Sequence, residues 1–227
     1  MSRRIVDFLL PPKCAQCGRV GEMLCADCRA SLAWVDYPLC MACGRQAKSS
    51  VQRCRLCEER PLPLKQVRAA VHYVEPVPRI IHKLKYEDEF ALATVLADWM
   101  HEAWAKWAVA VDVLVPIPLH KERYKSRGYN QAELIAKKLA PSIQVPLATK
   151  ALKRQRDTQS QVGLKASARQ TNVQDAFQAD RQKVQGRSIL LIDDVYTTGA
   201  TLRAAALSLI QAGARDIYGY CVAQADK

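Results

Sequence analysis

The sequence predicts an α/β protein in which a parallel sheet follows a small metal-binding module. Three observations lead to this prediction. From about residue 67, short apolar segments alternate with segments of helical periodicity, as expected for parallel strands covered by helices on both faces. Eight of the nine cysteines form four Cys-x-x-Cys pairs before residue 58. The apolar run Ile189–Ile192 leads directly into two adjacent acids, Asp193 and Asp194.

Length, composition and charge limit the possible functions. The chain has 227 residues, of which 49% are hydrophobic, and this suits two domains, predicted at residues 1–62 and 63–227. The net charge of +12 favours anionic partners such as phosphate esters or nucleic acid. No apolar stretch approaches the roughly 18 residues of a membrane span, and the first residues do not form a secretory signal. A cytoplasmic protein without a membrane span is therefore expected.

The cysteine pairs predict two structural Zn²⁺ sites. A Cys-x-x-Cys turn places two thiolates on one metal ion, and two such turns complete a tetrahedron. The predicted ligands are Cys14, Cys17, Cys25, Cys28, Cys40, Cys43, Cys54 and Cys57. Two arrangements remain open. Sequential pairing would give two zinc ribbons in tandem, and cross-braced pairing would join the first pair to the third and the second to the fourth. Cys221 is expected in the core.

Strand and helix patterns alternate in the second domain. Strands are predicted at residues 67–74, 111–119, 145–154, 189–192 and 215–225, and helices at 77–108, 130–140 and 201–214. The first helical stretch has an expected break near residues 86–88. Residues 153–172 lack aliphatic periodicity and are interpreted as a mobile loop. Ligands of parallel sheets bind at the carboxyl ends of strands, so Asp193 and Asp194 are expected at a ligand-binding edge.

The residues after the acidic pair suit a phosphate monoester. This loop consists of Thr197, Thr198, Gly199, Ala200 and Thr201. Its small residues let backbone N–H groups approach one anion, and the N-terminus of the following helix adds a favourable partial charge. Carboxylates do not bind phosphate, but they accept hydrogen bonds from hydroxyl groups. A sugar phosphate therefore explains both halves of the motif.

An apolar strand, two acids and a Thr-Thr-Gly-x-Thr loop together resemble the motif that binds phosphoribosyl pyrophosphate (PRPP) in type I phosphoribosyltransferases. Three further segments are IHKLKY at residues 81–86, VPIPLHKERYKSRGYNQ at 115–131 and RQTNVQDAF at 169–177. Combined with the N-terminal cysteines, they resemble the ComF family, whose members are associated with natural competence. The resemblance covers nearly the whole chain. It implies a type I phosphoribosyltransferase-like domain preceded by a double zinc ribbon.

The resemblance also implies roles for individual residues. Asp193 and Asp194 would form the catalytic pair that holds the ribose hydroxyls of PRPP, and the loop 197–201 would bind its 5-phosphate. The pyrophosphate, with Mg²⁺, would bind at a turn formed by Pro116, Ile117, Pro118 and Leu119. Arg123 and Arg127 follow this turn directly, and their guanidinium groups suit phosphate oxygens. Lys165 and Arg169 of the expected mobile loop are candidates to reach the same group.

A basic stretch supports a second function. Between Lys121 and Arg169, twelve lysines or arginines and three acids give a local charge of +9. An alternative to a phosphoribosyltransferase is therefore a non-enzymatic module that binds single-stranded DNA and is regulated by PRPP or a nucleotide. A scaffold that contacts partners, such as other DNA-uptake proteins, through its zinc module is a third interpretation.

Overall fold

The second domain is built on a four-stranded sheet in which every strand is parallel to its neighbours. The computed structural model describes residues 11–155 and 176–225. In these ranges the strands are β1 Gln66–His72, β2 Val113–Pro116, β3 Leu152–Arg154, β4 Phe177–Ala179, β5 Ser188–Tyr196 and β6 Asp216–Gln224. The parallel sheet has the order β1-β6-β5-β2, and β3 and β4 form a separate antiparallel pair. The predicted α/β class is thereby confirmed.

Helices connect and cover the strands. Within the same ranges they are α1 Ala26–Ala30, α2 Arg55–Glu59, α3 Val77–Tyr86, α4 Leu92–Trp107, α5 Lys121–Arg127, α6 Gln131–Ser142, α7 Arg181–Val184 and α8 Ala200–Gln211. The expected break in the first helical stretch separates α3 from α4. Of the helices described, none combines the length and the apolar character that crossing a bilayer would require.

The apolar sequence of β5 explains its central position in the sheet. Residues Ser188–Ile192 are all buried, although their side chains alternate between the two faces. Burial on both faces is typical of a parallel strand between helical layers. The helix α3 also has one buried face. Its buried residues recur at helical spacing and are Val77, Ile80, Ile81 and Leu84.

Two of the predicted strands have bounds that differ from the structure for a clear physical reason. β5 continues through the two acids to Tyr196, because β6 remains paired with it as far as Gln224. The strand predicted at 145–154 is reduced to β3, and Leu147 makes only an isolated bridge to Leu114. Pro146 has no backbone N–H, so this segment cannot continue a ladder along β2.

Several short elements were not predicted, namely α1, α2, α5, α7 and β4. The helix α5 contains no buried residue, so it lacks the apolar periodicity by which an amphipathic helix is recognised. The strand β4 has only three residues. The prediction of a loop at residues 153–172 is wrong at its start, since Lys153 and Arg154 belong to β3. The part of that loop from residue 156 onward lies outside the described residues.

The cysteine-rich module packs directly against β1. Val67 N donates to Ala42 O at 2.8 Å, and Val35 N donates to Ala70 O at 3.0 Å. Gly44 approaches the strand so closely that a Cβ atom there would lie 2.7 Å from Val67 O. The buried residues of the module and of the sheet therefore form one continuous core.

Candidate functional site

The two predicted acids lie in β5, just beyond the level at which β2 ends. Pro116, the last residue of β2, pairs with Ile192, and Asp193 pairs with Cys221 of β6. On the β2 side, Asp193 and Asp194 therefore adjoin the turn that follows β2. This is the carboxyl edge of the parallel sheet, where ligands of such folds bind.

Asp194 is the centre of a polar cluster. The residue is only 6% exposed, and side chains from two helices reach its carboxylate. Lys85 Nζ, near the end of α3, lies 2.5 Å from Oδ2, and Gln131 Nε2, at the start of α6, donates to the same oxygen at 3.1 Å. The backbone N–H of Val195 donates to Oδ1 at 2.7 Å. The carboxylate is thus fixed in position by three separate segments of the chain.

Electrostatics distinguish the residues of this cluster. Burial alone would lower the pKa of Lys85, but the carboxylate of Asp194 outweighs it and raises the pKa. Lys85 is therefore a cation at neutral pH. Burial and repulsion from Asp194 raise the pKa of Asp193 to about 7. Asp193 accordingly gains or loses its charge near neutral pH, and its carboxylate accepts from Asp194 N at 2.9 Å.

The five residues Thr197–Thr201, called the phosphate loop below, connect β5 to the first turn of α8. Thr197 and Thr198 are exposed, whereas Gly199 is buried and has a φ of +78°. Glycine adopts this conformation without steric cost, and a Cβ here would lie only 3.0 Å from the Tyr196 ring. The first N–H groups of α8 lack intrahelical acceptors. The loop thus lies at a helix N-terminus, a position that suits phosphate binding, and its binding of phosphate remains a prediction.

The turn predicted to bind pyrophosphate is tied to β5 and to α6. Ile117 N donates to Ile192 O at 2.9 Å, and Asn130 Nδ2 donates to Ile117 O at 2.9 Å. The side chain of Asn130 also accepts from Ala132 N at 3.1 Å and so caps α6. These bonds place the segment 116–119 beside the acids and beside the helix that supplies Gln131.

One of the two predicted arginines belongs to the cluster around the acids. Arg127 donates to Gln131 Oε1, and its Cζ lies 5.1 Å from the centre of the Tyr86 ring. Because Gln131 also contacts Asp194, Arg127 is linked to the acids through a single side chain. Arg123 lies one turn earlier on α5 and is half-buried.

Lys85 and Gln131 were not among the predicted site residues. They lie in the segments IHKLKY and VPIPLHKERYKSRGYNQ, to which the resemblance drew attention without assigning these two a role. The local signal for Lys85 is its position next to Leu84, on the border of the buried face of α3. A lysine at such a border needs a partner of opposite charge when its ammonium group is largely buried.

The eight cysteines of the N-terminal module form two groups. These are Cys14, Cys17, Cys25 and Cys28, and Cys40, Cys43, Cys54 and Cys57, and the Sγ atoms within each group lie within 4.8 Å of one another. The structure therefore has sequential pairing and not the cross-braced alternative. Cys221 is completely buried in β6, as expected.

The geometry of both groups fits zinc. A tetrahedral site with Zn–S bonds of about 2.3 Å has sulfur atoms about 3.8 Å apart. The Sγ atoms of Cys17 and Cys25 are separated by 3.7 Å, and those of Cys43 and Cys54 also by 3.7 Å. Four thiolates fill the coordination sphere, so each group suits a structural Zn²⁺ ion.

Comparison with known proteins agrees with both parts of the structure. A double zinc ribbon domain matches residues 5–59, and a phosphoribosyl transferase domain matches residues 125–226. Competence protein ComFC of Bacillus subtilis (strain 168) is 32% identical over 216 residues, which cover 91% of this chain and 82% of that protein. This chain belongs to the ComF family. The domain boundary between residues 62 and 63 remains a prediction.

Other relatives match over a similar length. Competence protein F of Haemophilus influenzae is 29% identical, over 89% of this chain and 90% of that protein. DNA utilization protein YhgH of Escherichia coli (strain K12) is 29% identical, over 88% of this chain and 89% of that protein. The similarity in each case spans most of both chains.

Two solved structures were also matched to this ComF chain. Glutamine PRPP amidotransferase from B. subtilis has 19% identity and a TM-score of 0.43, over 57% of this chain and 26% of that chain. Adenine phosphoribosyltransferase from Leishmania donovani has 12% identity and a TM-score of 0.39, over 64% of this chain and 69% of that chain. The chain thus matches about a quarter of the length of the first protein.

Lys165 and Arg169, the two residues expected to reach the pyrophosphate from the predicted loop, lie outside the described residues.

Proposed function

We propose that this chain binds PRPP at the carboxyl end of β5 and transfers its phosphoribosyl group. The observation that carries the proposal is the position of Asp193 and Asp194 immediately before the phosphate loop. The loop complements a phosphate, and the carboxylates complement ribose hydroxyls, so adjacent residues complement both parts of a ribose 5-phosphate. The match of residues 125–226 to a phosphoribosyl transferase domain supports the same ligand.

The pyrophosphate of PRPP would bind on the β2 side of the acids. The turn 116–119 lies there, and Arg127 is linked to Asp194 through Gln131. Arg123, one turn earlier on α5, would provide a second guanidinium group. Such groups form paired, charge-assisted hydrogen bonds with phosphate oxygens. Mg²⁺ would arrive with the pyrophosphate, whose oxygens are the hard ligands that this ion prefers, and would neutralise part of its charge.

Catalysis would rest on positioning and charge. The bond between the anomeric carbon and the pyrophosphate oxygen would break, and its electron pair would leave with pyrophosphate. The acceptor would donate an electron pair to form the new bond to that carbon and would release its own proton to solvent. The arginines stabilise the departing negative charge, and the acids hold the ribose so that this carbon faces the acceptor. Lys85 keeps Asp194 in one orientation at 2.5 Å before the ribose binds.

The names of the relatives support a role for this chain that involves DNA. Two of them are called competence proteins, and a third is called a DNA utilization protein. We accordingly propose that this chain acts in DNA uptake or in the use of the DNA taken up. Phosphoribosyl transfer connects a sugar phosphate with nucleobase chemistry, so the proposed reaction is compatible with that setting.

Single-stranded DNA binding is a second candidate, favoured by the surface of α5. This helix, KERYKSR, follows the pyrophosphate turn directly, and Lys121, Tyr124 and Lys125 are exposed on it. Exposed cations bind phosphates of any sequence, and an aromatic ring can stack on a base. DNA bound there would adjoin the proposed PRPP site.

Calorimetry with PRPP and Mg²⁺ tests the proposed function. Saturable binding to one site per chain is expected, with weaker binding of ribose 5-phosphate or pyrophosphate alone, because each fills only part of the site. A screen for pyrophosphate release with nucleobases and with single-stranded DNA then separates a transferase from a PRPP-binding protein without turnover. Absence of PRPP binding would contradict the proposal.

A further inference from the structure

The second zinc ribbon reaches the phosphate loop through one arginine. Arg45 follows the zinc ligand Cys43 by two residues, and its Nη2 donates to Thr197 O at 2.7 Å. Its guanidinium Cζ also lies 5.8 Å from the centre of the Tyr196 ring. The first residue of the loop is thus held by a side chain that starts at a metal-binding turn.

Other contacts hold the same region from the same side. Arg203, in the first turn of α8, donates to Pro61 O at 2.5 Å and to Arg60 O at 3.1 Å. A Cβ on Gly199 would lie 3.2 Å from the side chain of Leu62. Residues 60–62 follow α2, the helix of the second ribbon. The ribbon and its following residues therefore support both the loop and the start of α8.

The bond to Thr197 O determines the direction of a backbone donor. In a planar trans peptide, the C=O group and the following N–H group point in opposite directions. Because Arg45 binds the carbonyl of Thr197, the N–H of Thr198 is turned away from the ribbon. Backbone N–H groups held in advance bind an anion without an ordering cost at the moment of binding.

We propose that Arg45 is a positioning residue for the phosphate loop, so that the second zinc ribbon, and not the first, controls affinity for the phosphate group of PRPP. The affinity part of this inference rests on the proposed function, whereas the effect on the loop itself does not. The ligand chemistry is a phosphate monoester bound by backbone N–H groups. Arg45 acts by fixing those groups and does not contact the reacting atoms.

The first ribbon provides an internal control. Arg19 follows Cys17 and Gly18 as Arg45 follows Cys43 and Gly44. Arg19 instead forms an ion pair with Asp27 at 2.6 Å, in which the two side chains are 62% and 70% exposed. Replacement of either arginine by alanine therefore removes a guanidinium group from the equivalent position of a ribbon. Only Arg45 contacts the phosphate loop, so Arg19 is the matched control.

The experiment compares Arg45→Ala with Arg19→Ala in full-length protein that contains zinc. Zinc content and thermal unfolding are measured first, and PRPP–Mg²⁺ affinity is then measured by calorimetry. Arg45→Ala should weaken binding roughly tenfold, near the lower limit for losing a hydrogen bond from a charged group, and Arg19→Ala by less than about twofold. Arg45→Lys keeps a charged donor and should recover part of the loss.

Hydrogen exchange of the free protein tests the effect on the loop without any ligand. Amides of residues 198–201 should exchange faster in Arg45→Ala than in Arg19→Ala, while those of β1 should be unchanged. Equal exchange and equal PRPP affinity in the two variants would overturn the inference. If wild-type protein does not bind PRPP, the proposed function fails, and the exchange result decides alone whether Arg45 positions the loop. If Arg45→Ala does not fold, Arg45→Lys is compared with Arg19→Lys in the same two assays.

Discussion

Lys85 Nζ lies 2.5 Å from Asp194 Oδ2, and this ion pair joins α3 to the carboxyl end of β5. The two side chains are 20% and 8% exposed. A largely buried pair contributes little compared with two apolar residues, but removal of one partner leaves an uncompensated charge. The pair therefore specifies the position of Asp194 more than it adds to the total stability.

Replacement of this lysine should destabilise the protein markedly. Lys85→Met is expected to lower the free energy of unfolding by about 2–4 kcal/mol, because Asp194 remains buried without its cation. Urea denaturation at pH 8 measures the effect, with the exposed Lys125→Met as the control. The double variant Lys85→Met, Asp194→Asn should recover part of the loss. If Lys85→Met and the control Lys125→Met were equally stable, the ion pair between Lys85 and Asp194 would be unimportant for folding.

The raised pKa of Asp193 predicts a pH-dependent stability. An aspartate in the unfolded chain has a pKa of about 3.9, whereas that of Asp193 in the folded protein is about 7. The folded state therefore binds this proton more tightly, and the resulting contribution is complete below about pH 4 and is lost as the pH rises through about 7.

Asp193→Asn removes this titration and serves as the comparison. The stability of Asp193→Asn relative to wild type should increase between pH 5.5 and 8, by at most about 2 kcal/mol. Urea denaturation of both proteins at matched pH values measures it. Effects of pH on the zinc ligands are common to both proteins and cancel in the difference. A difference that does not change with pH would contradict the raised pKa.

Zinc analysis should find two ions per chain, one for each group of four cysteines. Cys221→Ser should retain both ions, since that residue lies in β6 and outside both groups. Cys17→Ser and Cys43→Ser should each lose one, because a site with three thiolates binds more weakly. The measurement is zinc per chain by elemental analysis after gel filtration. One ion or none in wild-type protein would be the contrary result.

The strand, the acids and the phosphate loop could be predicted because their signals are local. Ile189–Ile192 is apolar on both faces, and the acids and glycine follow it in sequence. The zinc ligands could be predicted from their spacing, but the spacing is compatible with two pairings. Only the fold of the backbone brings the first pair to the second.

The partners of Asp194 depend on tertiary structure and could not be predicted in the same way. Lys85 and Gln131 lie on different helices, far from Asp194 in the sequence, and neither helix encodes the contact by its periodicity. The helix α5 was missed because it buries no residue. Arg45 was missed for a related reason, since its contact with Thr197 connects the two domains.

Single-stranded DNA should bind weakly, with little sequence preference and a steep salt dependence. Contacts to phosphates release counterions, so the log–log slope should be roughly −0.7 per phosphate contacted. Titration of labelled strands at two salt concentrations measures this slope. Lys121→Glu with Lys125→Glu should weaken binding if the DNA lies on α5, whereas Lys48→Glu should do so if it lies on the second ribbon.

Competition between PRPP and DNA distinguishes DNA binding on α5 from DNA binding on the second zinc ribbon. PRPP–Mg²⁺ should displace DNA from α5, because Arg123 and Arg127 cannot neutralise both ligands, and it should leave DNA on the ribbon unaffected. No binding at low salt would exclude the DNA function and leave the transferase as the single proposal.

The affinity of Asp194→Ala for PRPP–Mg²⁺ is the decisive measurement for the proposed PRPP site at the end of β5. Loss of a charged hydrogen-bond acceptor for a ribose hydroxyl should weaken binding by about 1.5–3 kcal/mol. Calorimetry is performed on protein whose zinc content and thermal unfolding show that it is folded, with Asp98→Ala, an exposed position on α4, as the control. PRPP should bind more weakly to Asp194→Ala and with unchanged affinity to Asp98→Ala. Equal PRPP affinity of Asp194→Ala and wild type would contradict the assignment of the site.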